Sequence, residues 1–152
     1  MKILLAVDGS PISLRAAKFV AKLAKEMAEP PDVLLFNADP PLMQAVAIKL
    51  GLQAAARYHA DNGAYAIKAA RAALKRARVG FTEKVVVGEP AASIVKAAKA
   101  ERCDLIVMGS QGHTALKTLF VGSVTAKVIA QGVASGEFEA PDLQLASLCA
   151  CT

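Results

Sequence analysis

The chain has 152 residues, of which 55% are hydrophobic and 20% charged, with a formal net charge of +5, 5% aromatics and no tryptophan. A chain of that length makes one domain with a self-sufficient core. Its composition excludes a disordered chain, and no apolar run reaches the ~18 residues of a membrane-spanning helix.

Residues 3–7, Ile-Leu-Leu-Ala-Val, form a continuous apolar run ending in Asp8-Gly9-Ser10-Pro11. Such a run without alternation predicts a strand buried on both faces. It is too short for a signal peptide, so a cytoplasmic protein is expected. Ser10 is placed to cap a helix and Pro11 suits its first turn, where the missing N–H is not needed. That helix is expected to reach about Ala28, with Ala17, Val20, Ala21, Ala24 and Met27 on its inner face.

A second strand is predicted over 33–38, closed by Asp39-Pro40-Pro41. Residues 42–50 can be helical until Gly51, and Asp61-Asn62-Gly63 reads as a further break. His59 falls on a mid-chain helix and is expected at the surface. A strong helical pattern over 64–77 is expected to close at Gly80 in a left-handed cap. Residues 82–87 predict a third strand, 90–101 a helix and 105–108 a fourth strand. Ser123 is expected to cap a last helix reaching about Gln131.

Strand and helix thus alternate four times, which calls for a parallel sheet covered by helices on both faces. Ligands bind such sheets beyond the carboxyl ends of the strands. Asp8, Ala38 and Gly109 stand at those ends. After the fourth strand the sequence runs Met108-Gly109-Ser110-Gln111-Gly112-His113, then Gly122-Ser123-Val124. The spacing G-x2-G-x9-G-S gathers backbone N–H groups at Gly109 and Gly112 into an anion nest, and adds a helix start at Gly122-Ser123 that favours phosphate. His113 lies inside this loop and can approach a phosphate. No Walker lysine motif, no G-x-G-x-x-G after the first strand and no G-x-S-x-G elbow is present.

Cys103 reads as a small buried thiol. Cys149 and Cys151 have no neighbouring histidine or second cysteine pair, so no metal site is assigned. The lysine and arginine stripes Lys18/Lys22/Lys25 and Lys68/Arg71/Lys75 lack interleaved stacking aromatics, which argues against nucleic acid. Asp8, Lys117 and Lys127 are the residues near the loop that could serve phosphoryl transfer. None sits in a catalytic spacing, so no catalytic residue is assigned and slow ATP hydrolysis is the most expected of an enzyme reading.

The sequence resembles the universal stress proteins of the nucleotide-binding kind. The resemblance lies in residues 3–10, in Val87-Gly88-Glu89-Pro90, and most strongly in residues 104–113 with Gly122-Ser123-Val124. It implies an α/β, three-layer α/β/α sandwich with an open parallel sheet, Rossmann-like and of the adenine nucleotide alpha-hydrolase kind. It further implies a regulatory protein that binds ATP, with Mg2+ held through the phosphates, and a homodimer. Asp8 would contact the nucleoside, Ala38 would lie by the adenine, Met108 and Gly109 would flank the nucleoside, and Gly112, Gly122, Ser123 and Val124 would hold the phosphates. Residues 1–131 form the nucleotide-binding domain on this reading, and 132–152 an atypical tail of the same domain. That tail lacks the family's Pro-Val-Leu-type fifth strand where it is expected. The run over 143–149 could substitute as a strand or form a short helix; otherwise the sheet is left with an open edge that seeks a partner.

Overall fold

The computed structural model describes residues 1–109, 122–134 and 144–148. Five strands, β1 (Lys2–Ala6), β2 (Asp32–Asp39), β3 (Phe81–Val87), β4 (Leu105–Gly109) and β5 (Gln144–Leu148), form one sheet in the order β3-β2-β1-β4-β5. All four neighbouring pairs are parallel. The helices between them are α1 (Pro11–Glu26), α2 (Gln44–Leu50), α3 (Leu52–Arg76), α4 (Pro90–Ala100) and α5 (Ser123–Ala134).

Alternation along β1 divides the core into two layers. Ile3, Leu5 and Val7 face one side and pack with Ala17, Val20 and Ala24 of α1 and Ile67, Ala70 and Leu74 of α3. Leu4 and Ala6 face the other, with Ala91, Ile94 and Ala98 of α4 and Val128 of α5. A strand whose side chains are buried on both faces has no polar positions to alternate, which is why the run reads as continuously apolar. Leu4 and Leu5 are wholly buried, a burial that stabilises by roughly 1.5–3 kcal/mol per side chain. Alanines on the inner faces of α1, α3 and α4 let the helix axes approach the sheet closely.

Three expectations need correction. Asp61-Asn62-Gly63 is no break: all three lie within the 25-residue α3. A Cβ on Gly63 would overlap the Val85 side chain of β3, so glycine is there because helix and sheet touch. Gly80 is not the left-handed cap of α3; Arg78 adopts that conformation, at φ 60°, and the Val79 N–H closes on the Leu74 carbonyl at 3.1 Å. Ser123 is the first residue of α5 rather than its cap; the carbonyl preceding it, on Gly122, accepts from Ala126 N at 2.9 Å. Of the two alternatives left open for residues 143–149, the structure has the strand. β5 runs parallel to β4, with Leu105 opposite Gln144 and Gly109 opposite Leu148, so β4 is an interior strand and its edge is not open.

Candidate functional site

The strand order reverses at β1: the chain moves outward through β2 and β3, then returns to place β4 on β1's other side. Two connections leaving in opposite directions open a crevice at the carboxyl ends of β1 and β4. A cavity of about 480 Å³ lies there, lined from β1 by Val7 and Asp8, from β2 by Asn37, Ala38 and Asp39, from β4 by Met108 and Gly109, and from the start of α5 by Gly122, Ser123 and Val124. That volume falls in the range of small-molecule sites, roughly 300–1,000 Å³.

The first turn after β1 is held by its own polar groups. Asp8 Oδ1 accepts from Ser10 N at 2.9 Å, and Ser10 Oγ accepts from Ser13 N at 3.1 Å, capping α1. Gly9 sits at φ 80°, which lets the chain double back from β1 into α1. At the end of β4, Thr125 Oγ1 donates to the Gly109 carbonyl at 3.1 Å, tying the first turn of α5 to the strand. A Cβ on Gly109 would come within 2.7 Å of Ile12 Cγ2 and 3.3 Å of Ser13 N. The absence of a side chain there lets the start of α1 seat against β4, a packing role that the anion-nest reading did not include.

Seven of the nine residues singled out from the sequence, Asp8, Ala38, Met108, Gly109, Gly122, Ser123 and Val124, line this one cavity. Gly112 and His113 lie outside the described residues, as does Lys117. Lys127 is not on the described cavity wall; its ammonium lies 3.5 Å from Glu89 Oε1. The described lining contains no lysine or arginine. An anion in this part of the cavity would therefore meet backbone N–H groups, and those of the first turn of α5 have no partner within the helix.

Sequence reasoning missed a polar group on the β2 side. Asn37 is buried and its Nδ2 donates to the Val7 carbonyl at 2.8 Å. Beyond it, the Asp39 carboxylate is met by His59 Nδ1 and by Asn62 Nδ2 at 3.3 Å, both from α3. His59 is thus not the surface residue expected: its side chain is 14% exposed. The available signal was a single amide inside the apolar run Val-Leu-Leu-Phe-Asn-Ala. The His59 pairing, across 20 residues, left no local signal.

Elsewhere the ionisable groups have structural surroundings. Cys103 is a free buried thiol, and burial pushes its pKa up, the opposite of what a nucleophile needs. Among the described residues no group of three or more His, Cys, Asp or Glu is gathered to hold a metal. No helix among the described residues is long and apolar enough to cross a membrane.

A profile of the universal stress protein family matches residues 1–132. A universal stress protein of Thermus aquaticus, from the QAH/OAS sulfhydrylase 3′ region, is 35% identical over 136 residues, covering 85% of this chain and 90% of that one. The solved structure of MJ0577 from Methanocaldococcus jannaschii superposes with a TM-score of 0.72 at 25% identity, over 99% of this chain and 97% of that one. A universal stress protein solved in complex with cAMP shares the fold at 23% identity, with a TM-score of 0.63 over 96% of each chain. The crevice beyond β1 and β4 sits on a fold common to these proteins, and the sequence match spans most of the chain: the protein belongs to the universal stress protein family.

Proposed function

We propose that this chain is an adenine-nucleotide-binding regulatory protein, with ATP as its ligand and Mg2+ carried on the phosphates. The observation that carries the reading is the convergence of the β1, β2 and β4 carboxyl ends on the N-terminus of α5 around one cavity. Phosphates would lie at Gly122 and Ser123, where amides and the positive end of the helix favour negative charge. The nucleoside would lie toward Asp8, Ala38 and Met108, because the carboxylates of Asp8 and Asp39 repel phosphate. Gly112 and His113 would complete the phosphate seat. Occupancy would shift the protein between two states by binding one of them better. The structural neighbour solved with cAMP makes a mononucleotide a second ligand to test.

No observation favours the enzyme reading. Lys127, the nearby cation that the structure describes, is engaged by Glu89. Nor does one favour nucleic acid: Arg71 of the second basic stripe is held by Glu83, and Lys22 of the first lies 3.7 Å from Glu26. The proposal extends to a cytoplasmic homodimer. The dimer is supported by β5 being a terminal strand, which offers a second ladder of backbone groups to another copy. Sedimentation equilibrium showing only monomer at ~100 times the working concentration would remove that part.

Calorimetric titration tests the central reading. ATP is expected to bind the unaltered protein, and Gly122→Val to weaken it at least tenfold, since a branched side chain there crowds the phosphate seat. Equal affinities in both proteins would contradict the assignment.

A further inference from the structure

α2 has no buried residue. Its sequence, Gln-Ala-Val-Ala-Ile-Lys-Leu, is apolar around most of its circumference, and a helix of that kind is normally enclosed. Here Met43, Ile48 and Leu52 are 75%, 73% and 92% exposed, and Val46 and Leu50 are exposed between them. α3 continues the pattern. Its inner positions recur with a helical period at Leu52, Ala56, Gly63, Ala66, Ala70 and Leu74. The last four are buried, whereas no residue over 52–62 is. The inner stripe of α3 therefore runs on past the core. With α2 it forms an apolar hairpin, turned at Gly51 with φ 77°. A contiguous apolar cluster left uncovered marks a surface that meets something else.

Charge identifies what that is. Residues 40–60 contain Lys49 and Arg57, both exposed, and no Asp or Glu. Of the acids bounding the stretch, Asp39 is engaged by His59 and Asn62, and Asp61 lies a turn beyond Arg57 on α3. We propose that the α2–α3 hairpin is a peripheral membrane-binding element, which seats Met43, Ile48 and Leu52 in the headgroup layer of an anionic phospholipid bilayer, with Lys49 and Arg57 on the lipid phosphates. None of these five residues lines the crevice, so the surface is independent of what the crevice binds. The seven-residue α2 lies in the bilayer surface and is too short to span it. Lipid suits the hairpin better than a second copy for two reasons. α2 is exposed nearly all round, and lipid closes over every free side of a shallowly embedded helix, whereas a folded face covers one. A two-fold contact would also bring two cationic patches together, because each copy presents the same surface. The stems of Lys49 and Arg57 are apolar and let their charges rise to the phosphates while the neighbouring side chains stay embedded.

Flotation of the full chain with lipid vesicles tests this. The protein is expected to bind equimolar phosphatidylcholine–phosphatidylglycerol vesicles, to bind phosphatidylcholine alone at least about fivefold more weakly, and to lose affinity as salt is added. The double variant Ile48→Gln/Leu52→Gln should bind the mixed vesicles at least about tenfold more weakly. Its urea midpoint should stay in place, because both side chains are exposed in the folded protein. Binding to neither vesicle, equal binding to both, or full binding by the double variant overturns the proposal. The chain has no tryptophan, so Leu52→Trp introduces a single reporter. Its emission should shift to the blue on the mixed vesicles and be quenched by brominated acyl chains; emission that stays as in water contradicts the seating of the hairpin. Sedimentation of the lipid-free protein tests the other occupant. Self-association that Ile48→Gln/Leu52→Gln abolishes would assign the hairpin to a second copy and sink the lipid reading.

Discussion

At the residue scale, Gly109 shows how a motif glycine can serve packing as well as ligand. Its missing Cβ leaves room for Ile12 and the Ser13 amide at the start of α1. Gly109→Ala is therefore expected to destabilise the protein without any nucleotide present, by about 1–3 kcal/mol, as overpacking does. Urea unfolding of the apo protein measures it; an unchanged midpoint would show that the glycine matters only to the ligand. This role was not legible from the sequence, because the crowding atoms come from residues nearly a hundred positions earlier. Asn37 was overlooked for a related reason. One amide in an apolar strand carries no period, and its meaning lies in the Val7 carbonyl of the adjacent strand.

At the scale of elements, α3 carries the largest difference between expectation and structure. A single glycine costs a helix only about 1 kcal/mol, and a 25-residue amphipathic helix with Ile67, Ala70 and Leu74 in the core recovers that readily. Gly63→Ala is expected to destabilise by roughly 1–3 kcal/mol, because the added methyl overlaps Val85. In a Val85→Ala background the same change should cost much less, since contacting sites are not additive. Equal costs in both backgrounds would refute the contact. About two turns further along α3, charge also joins the helix to β3. Arg71 Nε and Nη2 donate to the two Glu83 carboxylate oxygens at 2.6 and 2.7 Å. The hydrogen bond from Arg71 holds the Glu83 carboxyl below its ordinary 4.5, against an opposing effect of burial. A carboxyl lowered in the folded state lends stability that is whole above 4.5 and fades as the pH falls through the folded-state value. Glu83→Gln should therefore be less stable than the unaltered protein at neutral pH, with the gap closing in acid. A gap that is constant with pH would mean the pair contributes nothing through ionisation.

At the scale of the whole molecule, the alternation of buried runs and amphipathic helices made the α/β architecture legible. The burial of β1 on both faces is the physical reason. The topological rule for such sheets then directs attention to the strand ends, and Asp8, Ala38, Met108, Gly109 and Gly122 share one cavity there. What the sequence did not reveal are the links between elements far apart along the chain: the Asp39–His59 pair and Thr125 on Gly109. Neither follows from local pattern, since each depends on how the sheet assembles. The account as a whole stands or falls on what occupies the crevice. A crystal structure grown with ATP and Mg2+ tests it most directly. The account predicts phosphate density against the amides of Gly122 and Ser123, the sugar beside Asp8 and the base beside Ala38. Nucleotide bound elsewhere, or a crevice left without it at saturating ATP, would contradict it.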